Sequence, residues 1–177
     1  MNNIQQITLG NGCFWCSESV FRAVKGVTHV ESGYSGGKVP GHPTYKEVCS
    51  GLTGHAEVIR LTYDTNEIAL EEILLMFMAT HDPTTLNRQG GDVGTQYRSV
   101  VFYENELQKE TAEAVIKELS PHYKDPIVTE VSPLVNYFKA EDYHQDYYAK
   151  NPEQAYCNAV IPPKLDKLRK LFAEKMH

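Results

Sequence analysis

Two thiols three positions apart, Cys13 and Cys16, enclose the aromatic pair Phe14-Trp15 directly after Gly12. Such a pair can supply a thiolate nucleophile and can close on itself as a disulfide, so its chemistry is attack on an electrophile and thiol–disulfide exchange. Residues 4–9, Ile-Gln-Gln-Ile-Thr-Leu, alternate like a half-buried strand, and beyond the pair Val20, Phe21 and Val24 recur at helical spacing. Strand, glycine turn, cysteine, helix: the order puts Cys13 at or near a helix N-terminus. Unpaired backbone N–H groups and the helix dipole favour a thiolate there. Phe14 and Trp15, the latter the chain's one tryptophan, make an apolar wall that could hold a small apolar group beside the sulfur. The same five residues also suit an aromatic core with an inert buried thiol.

The elements that must position this stretch follow in order. Residues 26–34 alternate like a strand and run into a loop with Gly36-Gly37 and Pro40-Gly41-His42-Pro43. Residues 44–49 suit one or two helical turns, and 54–63 form the clearest strand pattern. Leu70 to Ala79 is an amphipathic helix with Ile73, Leu74, Phe77 and Met78 on one face. Residues 81–96 lack periodicity, and a connection of that length is usually functional or mobile. A strand is predicted over 97–103, a helix over 104–119, a strand over 127–131 and a helix over 140–149. Cys157 is expected in coil, and Pro162-Pro163 to restart the chain as a last helix over 164–175. Strands and helices alternate, but the crossovers are short and uneven. The expected fold is α+β: a two-layer α/β sandwich around a mixed sheet with a ferredoxin-like core. A coil-rich C-terminal extension over about residues 150–177 carries Cys157 and the last helix. Length predicts a single domain, 1–177, able to bury a full core.

Composition narrows the function. A net charge of −6 argues against nucleic acid or an anionic membrane as main partner. No run nears the roughly 20 apolar residues of a membrane span. Met1-Asn2-Asn3-Ile4 lacks the basic start and apolar stretch of a signal peptide. Four cysteines at 13, 16, 49 and 157 are too few and uneven for a disulfide scaffold, so they read as thiols in a reducing cytoplasm. Cys49 reads as a buried structural thiol.

Several segments together resemble the A-type peptide methionine sulfoxide reductases: Gly12-Cys13-Phe14-Trp15, Gly33-Tyr34-Ser35-Gly36-Gly37, Pro43-Thr44-Tyr45 and Gly54-His55-Ala56-Glu57-Val58. The series continues with residues 81–90, with 92–99, and with Tyr143-His144-Gln145 before Asn151-Pro152. One such match is weak; this series in order over residues 12–152 is specific. The resemblance implies reduction of the S epimer of methionine sulfoxide, free or in proteins, to methionine, with no metal or organic cofactor. It makes Cys13 the nucleophile and Glu57 the acid that protonates the sulfoxide oxygen, a task requiring a carboxyl kept neutral by burial. Tyr45 and Tyr97 would orient that oxygen, Asp92 would support the pocket's hydrogen bonding, and Phe14 and Trp15 would hold the S-methyl group. His55, His81 and His144 read as structural hydrogen-bonders.

Return of Cys13 from a sulfenic acid requires a second thiol. Cys157 matches the family's resolving position; Cys16 stands where the family usually has glycine and is the nearer in sequence. Both could act in series, with thioredoxin reducing the last disulfide. His42 and Gly91 replace the usual asparagines in pocket loops. A monomer is expected. Two rivals remain: a thioredoxin-type dithiol oxidoreductase using only Cys13 and Cys16, and a structural zinc site, which lacks a second C-x-x-C pair.

Overall fold

A computed structural model describes residues 3–177. Strand β1 (Ile4–Asn11) leads through Gly12 into helix α1 (Phe14–Arg22) and back along β2 (Val27–Ser35). The short α2 (Tyr45–Cys49) precedes β3 (Ala56–Asp64), α3 (Leu70–Ala79), a hairpin of β4 (Arg88–Gln89) and β5 (Asp92–Val93), and β6 (Ser99–Tyr103). Helix α4 (Glu106–Leu119) crosses to β7 (Glu130–Pro133), and β8 (Phe138–Lys139) completes the strands. The chain ends in α5 (Tyr147–Lys150) and α6 (Ala155–Leu171).

Six strands form a mixed sheet in the order β7-β6-β1-β3-β2-β8, antiparallel except for the β6–β7 pair. The two-residue side-chain period of β3 explains its burial on both faces. Ile59, Leu61 and Tyr63 join the large core with Phe21, Ile73, Phe77, Val101 and Leu168 from α1, α3, β6 and α6. Ala56 and Val58 point the other way, onto Val100, Phe102, Leu134 and Tyr137. Glu57 therefore lies on the face that α1 covers. Among the described residues, no helix is long and apolar enough to cross a membrane.

The helices at 70–79 and 106–119 match the periodic reading, each with a buried apolar stripe, and the first three long strands lie where they are expected, with much of each buried on both faces. Four segments differ. The aperiodic stretch after α3 contains the β4–β5 hairpin, and Tyr97 ends a 3-10 turn (Thr95–Tyr97) rather than starting a strand. The strand expected over 127–131 sits at Glu130–Pro133, paired parallel to β6. The helix expected over 140–149 splits into a 3-10 turn (Asp142–His144) and the single turn of α5. Tertiary bonds interrupt it: Gln145 donates to Ser32 O at 2.9 Å and accepts from Ser32 N at 2.9 Å, and Asp146 turns left-handed at φ 54°.

The last difference concerns Cys157, which lies in the first turn of α6 and not in coil, and α6 runs through Pro162 and Pro163. Gln154 Oε1 accepts from Cys157 N at 2.7 Å and caps the helix start. Cys157, Ile161 and Leu168 form one buried stripe across the prolines, so packing outweighs the roughly 3 kcal/mol that an interior proline costs. Both prolines face solvent, leaving the carbonyls they cannot serve open to water. The expected coil-rich extension is accordingly mostly helical.

Phe77 is fully buried at the centre of the large core. Phe77→Ala should lower the free energy of urea unfolding by about 3 to 5 kcal/mol, and a loss under about 1 kcal/mol would mean that this core is not the one holding the fold.

Candidate active site

Gly12 makes the turn from β1 into α1 at φ +109°, a conformation other residues rarely adopt, and an added Cβ would meet Gln89 Cγ at 3.0 Å. Cys13 follows as the N-cap of α1, with its carbonyl accepting from Cys16 N at 3.1 Å and Ser17 N at 3.3 Å. The expected helix-start placement is therefore observed. Its electrostatic consequence is not: the Cys13 thiol is held well above its ordinary value. The largest cause is its hydrogen bond with Cys16, followed by burial and the negative charge of Glu57, whereas the Trp15 N–H lowers it only weakly. The helix's first N–H is engaged elsewhere, since Phe14 N donates to Glu57 Oε1 at 3.1 Å. Cys16 moves the opposite way, lowered first by the Cys13 hydrogen bond and further by Lys164, against burial. One negative charge shared by the pair thus settles on Cys16.

Glu57 on β3 is 1% exposed. One carboxyl oxygen takes the Phe14 N–H, and the other has no partner. Burial pushes its pKa up to about 8, against the opposing Phe14 bond, so the carboxyl is largely protonated at neutral pH. A neutral acid with a free oxygen beside a thiol can donate a proton there. Tyr45 and Tyr97 are both raised, first by burial and then by the charge of Glu57.

An aromatic wall surrounds Phe14 and Trp15. Phe14 is 1% exposed and packs against Tyr45 at 6.2 Å and Tyr34 at 5.6 Å between ring centroids. Trp15 is half-buried, stacks on Tyr147 at 3.8 Å, and donates from Nε1 to His144 Nδ1 at 2.9 Å. Its acceptor must be unprotonated, in keeping with burial holding His144 below its ordinary value. Two other histidines likewise serve the scaffold. His55 Nδ1 accepts from Gly37 N at 2.9 Å, and His81 bridges Phe77 O and Ser99 Oγ at 2.6 and 2.7 Å.

Asp92, on β5, accepts a hydrogen bond from the Tyr156 hydroxyl of α6, which ties the hairpin to the C-terminal helix. Cys157 is fully buried and packs with Cys16 and Ile161, with Cys13 against the same cluster. Burial, with the charge of Cys16, pushes its thiol up to about 11. All four cysteines are free. Cys49 corrects the reading of a buried structural thiol: it is partly exposed and hydrogen-bonded to Tyr45, because α2 is one short turn whose end faces the Glu57 side of the site. Sequence reasoning also missed Tyr147, Tyr156 and Lys164. Lys164 on the apolar stripe of α6, three positions after Ile161, was the available signal.

The residues matched to the family motif thus converge from distant parts of the chain around two thiols and a neutral acid. Comparison with known proteins agrees. The peptide methionine sulfoxide reductase family profile matches residues 5–176. A peptide methionine sulfoxide reductase MsrA of Trichodesmium erythraeum is 55% identical over 98% of both chains. One from Saccharolobus solfataricus is 53% identical over 96% of this chain and 95% of its own. Among solved structures, Mxr1 from Saccharomyces cerevisiae in reduced form superposes with a TM-score of 0.83 at 35% identity, covering 89% of this chain and 91% of that one. Methionine sulfoxide reductase A of Corynebacterium diphtheriae gives 0.81 at 35% identity, covering 86% and 77%. The chain is an oxidoreductase. It belongs to the peptide methionine sulfoxide reductase family.

The Glu57 shift carries a stability signature. Between about 4.5, its ordinary value, and about 8, the folded state keeps a proton that the unfolded chain releases, so stability falls as pH rises through that window. Glu57→Gln holds no such proton. Its unfolding free energy relative to wild type should rise by about 1 kcal/mol per pH unit from pH 5 to 8. Taking the difference cancels the shifted groups that do not interact with Glu57, Glu18, His55, His81 and His144 among them. A flat difference would mean that Glu57 is ionised in the fold.

Proposed function

We propose that this protein reduces the S epimer of methionine sulfoxide, free or within oxidised proteins, to methionine, and so repairs oxidative damage. The observation carrying the reading is Glu57: buried, pushed up to about 8, one oxygen fixed by the Phe14 N–H and the other unpartnered, beside Cys13. The Cys13 thiolate bonds to the sulfoxide sulfur while Glu57 protonates the oxygen. The hydroxyl then passes from that sulfur to the Cys13 sulfur as the sulfur–sulfur bond breaks with its electron pair going to methionine. Methionine leaves reduced by two electrons, and Cys13 is left oxidised by two as a sulfenic acid. A protonated Glu57 also spares Cys13 a facing carboxylate, easing its ionisation when substrate is bound. Tyr45 and Tyr97 orient the oxygen, Trp15 and the edge of Phe14 seat the methyl group, and Asp92 braces the pocket through Tyr156.

Cys16 then condenses with the Cys13 sulfenic acid, releasing water. Its lowered thiol pKa and its contact with Cys13 support this order, because Cys157 is fully buried and pushed up to about 11. Cys157, packed against Cys16, attacks the Cys13–Cys16 disulfide at Cys16 and frees Cys13. Thioredoxin reduces the Cys16–Cys157 disulfide. The protein works as a monomer and as one domain in this proposal. The central order β6-β1-β3-β2 with β-α-β-β-α-β connectivity supports a ferredoxin-like core. Free thiols suit a reducing cytoplasm.

The test is single-turnover reduction of each sulfoxide epimer with free-thiol counting. Cys13→Ser should form no methionine, and only the S epimer should react with wild type. Glu57→Gln should slow the first turnover by about 10²- to 10⁴-fold and abolish the fall in rate as pH rises through about 8. Methionine formation by Cys13→Ser would refute the reading. Cys16→Ser should stall at the sulfenic acid, whereas Cys157→Ser should stop at the Cys13–Cys16 disulfide.

A further inference from the structure

One cation has no place in the steps above. Lys164 of α6 shares a cavity of about 200 Å³ with Cys13, Cys16, Gln89, Tyr156 and Val160. It lies on the helix face of Cys157, Ile161 and Leu168, where its neighbours are apolar and buried. Aligning a lysine with such a stripe is unfavourable unless its charge meets a partner. The salt bridge of α6 joins Arg169 to Asp166, and Asp92 is hydrogen-bonded by Tyr156. What the Lys164 ammonium faces is the thiol pair: burial lowers its pKa, and Cys16, Cys13 and Asp92, in that order, work against that lowering.

We propose that Lys164 is a positioning residue for disulfide closure, holding the thiolate of Cys16 in place for attack on the sulfenic acid of Cys13. The proposal rests on the reading of Cys13 as the oxidised centre and Cys16 as the first resolving thiol. In that step the Cys16 thiolate forms a bond to the Cys13 sulfur as the S–O bond breaks. Hydroxide departs and takes a proton to become water; Cys16 is oxidised and the sulfenic sulfur reduced. The titratable groups facing Cys16 are Cys13 on its own helix, Glu57 from β3, Asp92 from β5, and Tyr156, Cys157 and Lys164 from α6. Lys164 is the cation among them. Its role is greatest after the first turnover, when Glu57 has given up its proton and adds a second negative charge nearby. A thiolate loses nucleophilicity slowly as its pKa falls, so at neutral pH the gain in thiolate fraction dominates.

The experiment follows disulfide closure in the full chain after one equivalent of S-sulfoxide, with dimedone trapping the sulfenic acid, from pH 6 to 9. Lys164→Met should move the pH profile of closure up by about one unit and slow closure about tenfold at pH 7. Lys164→Arg should restore the wild-type profile. A wild-type profile in Lys164→Met, or equal impairment in Lys164→Arg, overturns the proposal. Circular dichroism checks the fold. If Lys164→Met unfolds, the profile of Lys164→Gln decides, and unfolding of both with a folded Lys164→Arg assigns a structural role and overturns the proposal. Cys16→Ser separates the two levels. If it closes with Cys157 at the wild-type rate, the reading of Cys16 as first resolver fails and the proposal with it. If it stalls while Lys164→Met closes normally, only the role of Lys164 fails.

Discussion

The hydrogen bond from the Phe14 N–H to Glu57 Oε1, 3.1 Å long, is the contact on which the site depends. It joins the start of α1 to the middle of the sheet and uses the first free donor of that helix on a buried carboxyl. A helix N-terminus ordinarily favours a negative charge, and this one lowers the pKa of Glu57, yet burial is the larger effect and leaves the group near 8. The acid is therefore located by a bond to one oxygen while the other stays available. A second donor would have lowered the pKa further and consumed the free oxygen at the same time.

Three layers of support hold the thiols against that acid. Beneath them, Gly12 lets β1 turn into α1 close to Gln89. Beside them, Tyr45, Trp15, His144 and Tyr147 interlock through ring contacts and the Trp15–His144 bond. Above them lies α6, with Tyr156 bound to Asp92 and Cys157 packed on Cys16. The C-terminal helix is part of the redox centre, and its two prolines are tolerated because the buried stripe continues on both sides of them.

Burial acts on several ionisable groups in the site, with different results. It keeps Glu57 neutral, His144 unprotonated and Cys157 a thiol, all by penalising charge. Cys16 is the exception, because a hydrogen bond and a nearby ammonium outweigh the same penalty. Of the two thiols, Cys16 is therefore the one that favours negative charge, next to the thiol that will react.

Local pattern was enough to determine much of this protein. The alternation in residues 4–9 and 54–63 and the apolar stripe of 70–79 are short-range properties, and each appears in the structure where its period places it. The motif residues were legible as types: Cys13 at a helix start, Glu57 in a strand of apolar neighbours. What the tertiary structure decided is what depends on partners far away in the chain. Gln145 bonding to Ser32 breaks the helix expected over 140–149, and the core stripe carries α6 through Pro162-Pro163 where proline predicts a stop. The direction of the Cys13 shift was hidden for the same reason. The Cys13–Cys16 hydrogen bond, the largest cause, lies within α1, but the burial and facing carboxyl that add to it, and the Lys164 ammonium beside Cys16, come from β3 and α6 packing against α1. Electrostatic effects sum over every neighbour in space, and sequence spacing reveals only the neighbours on one's own turn.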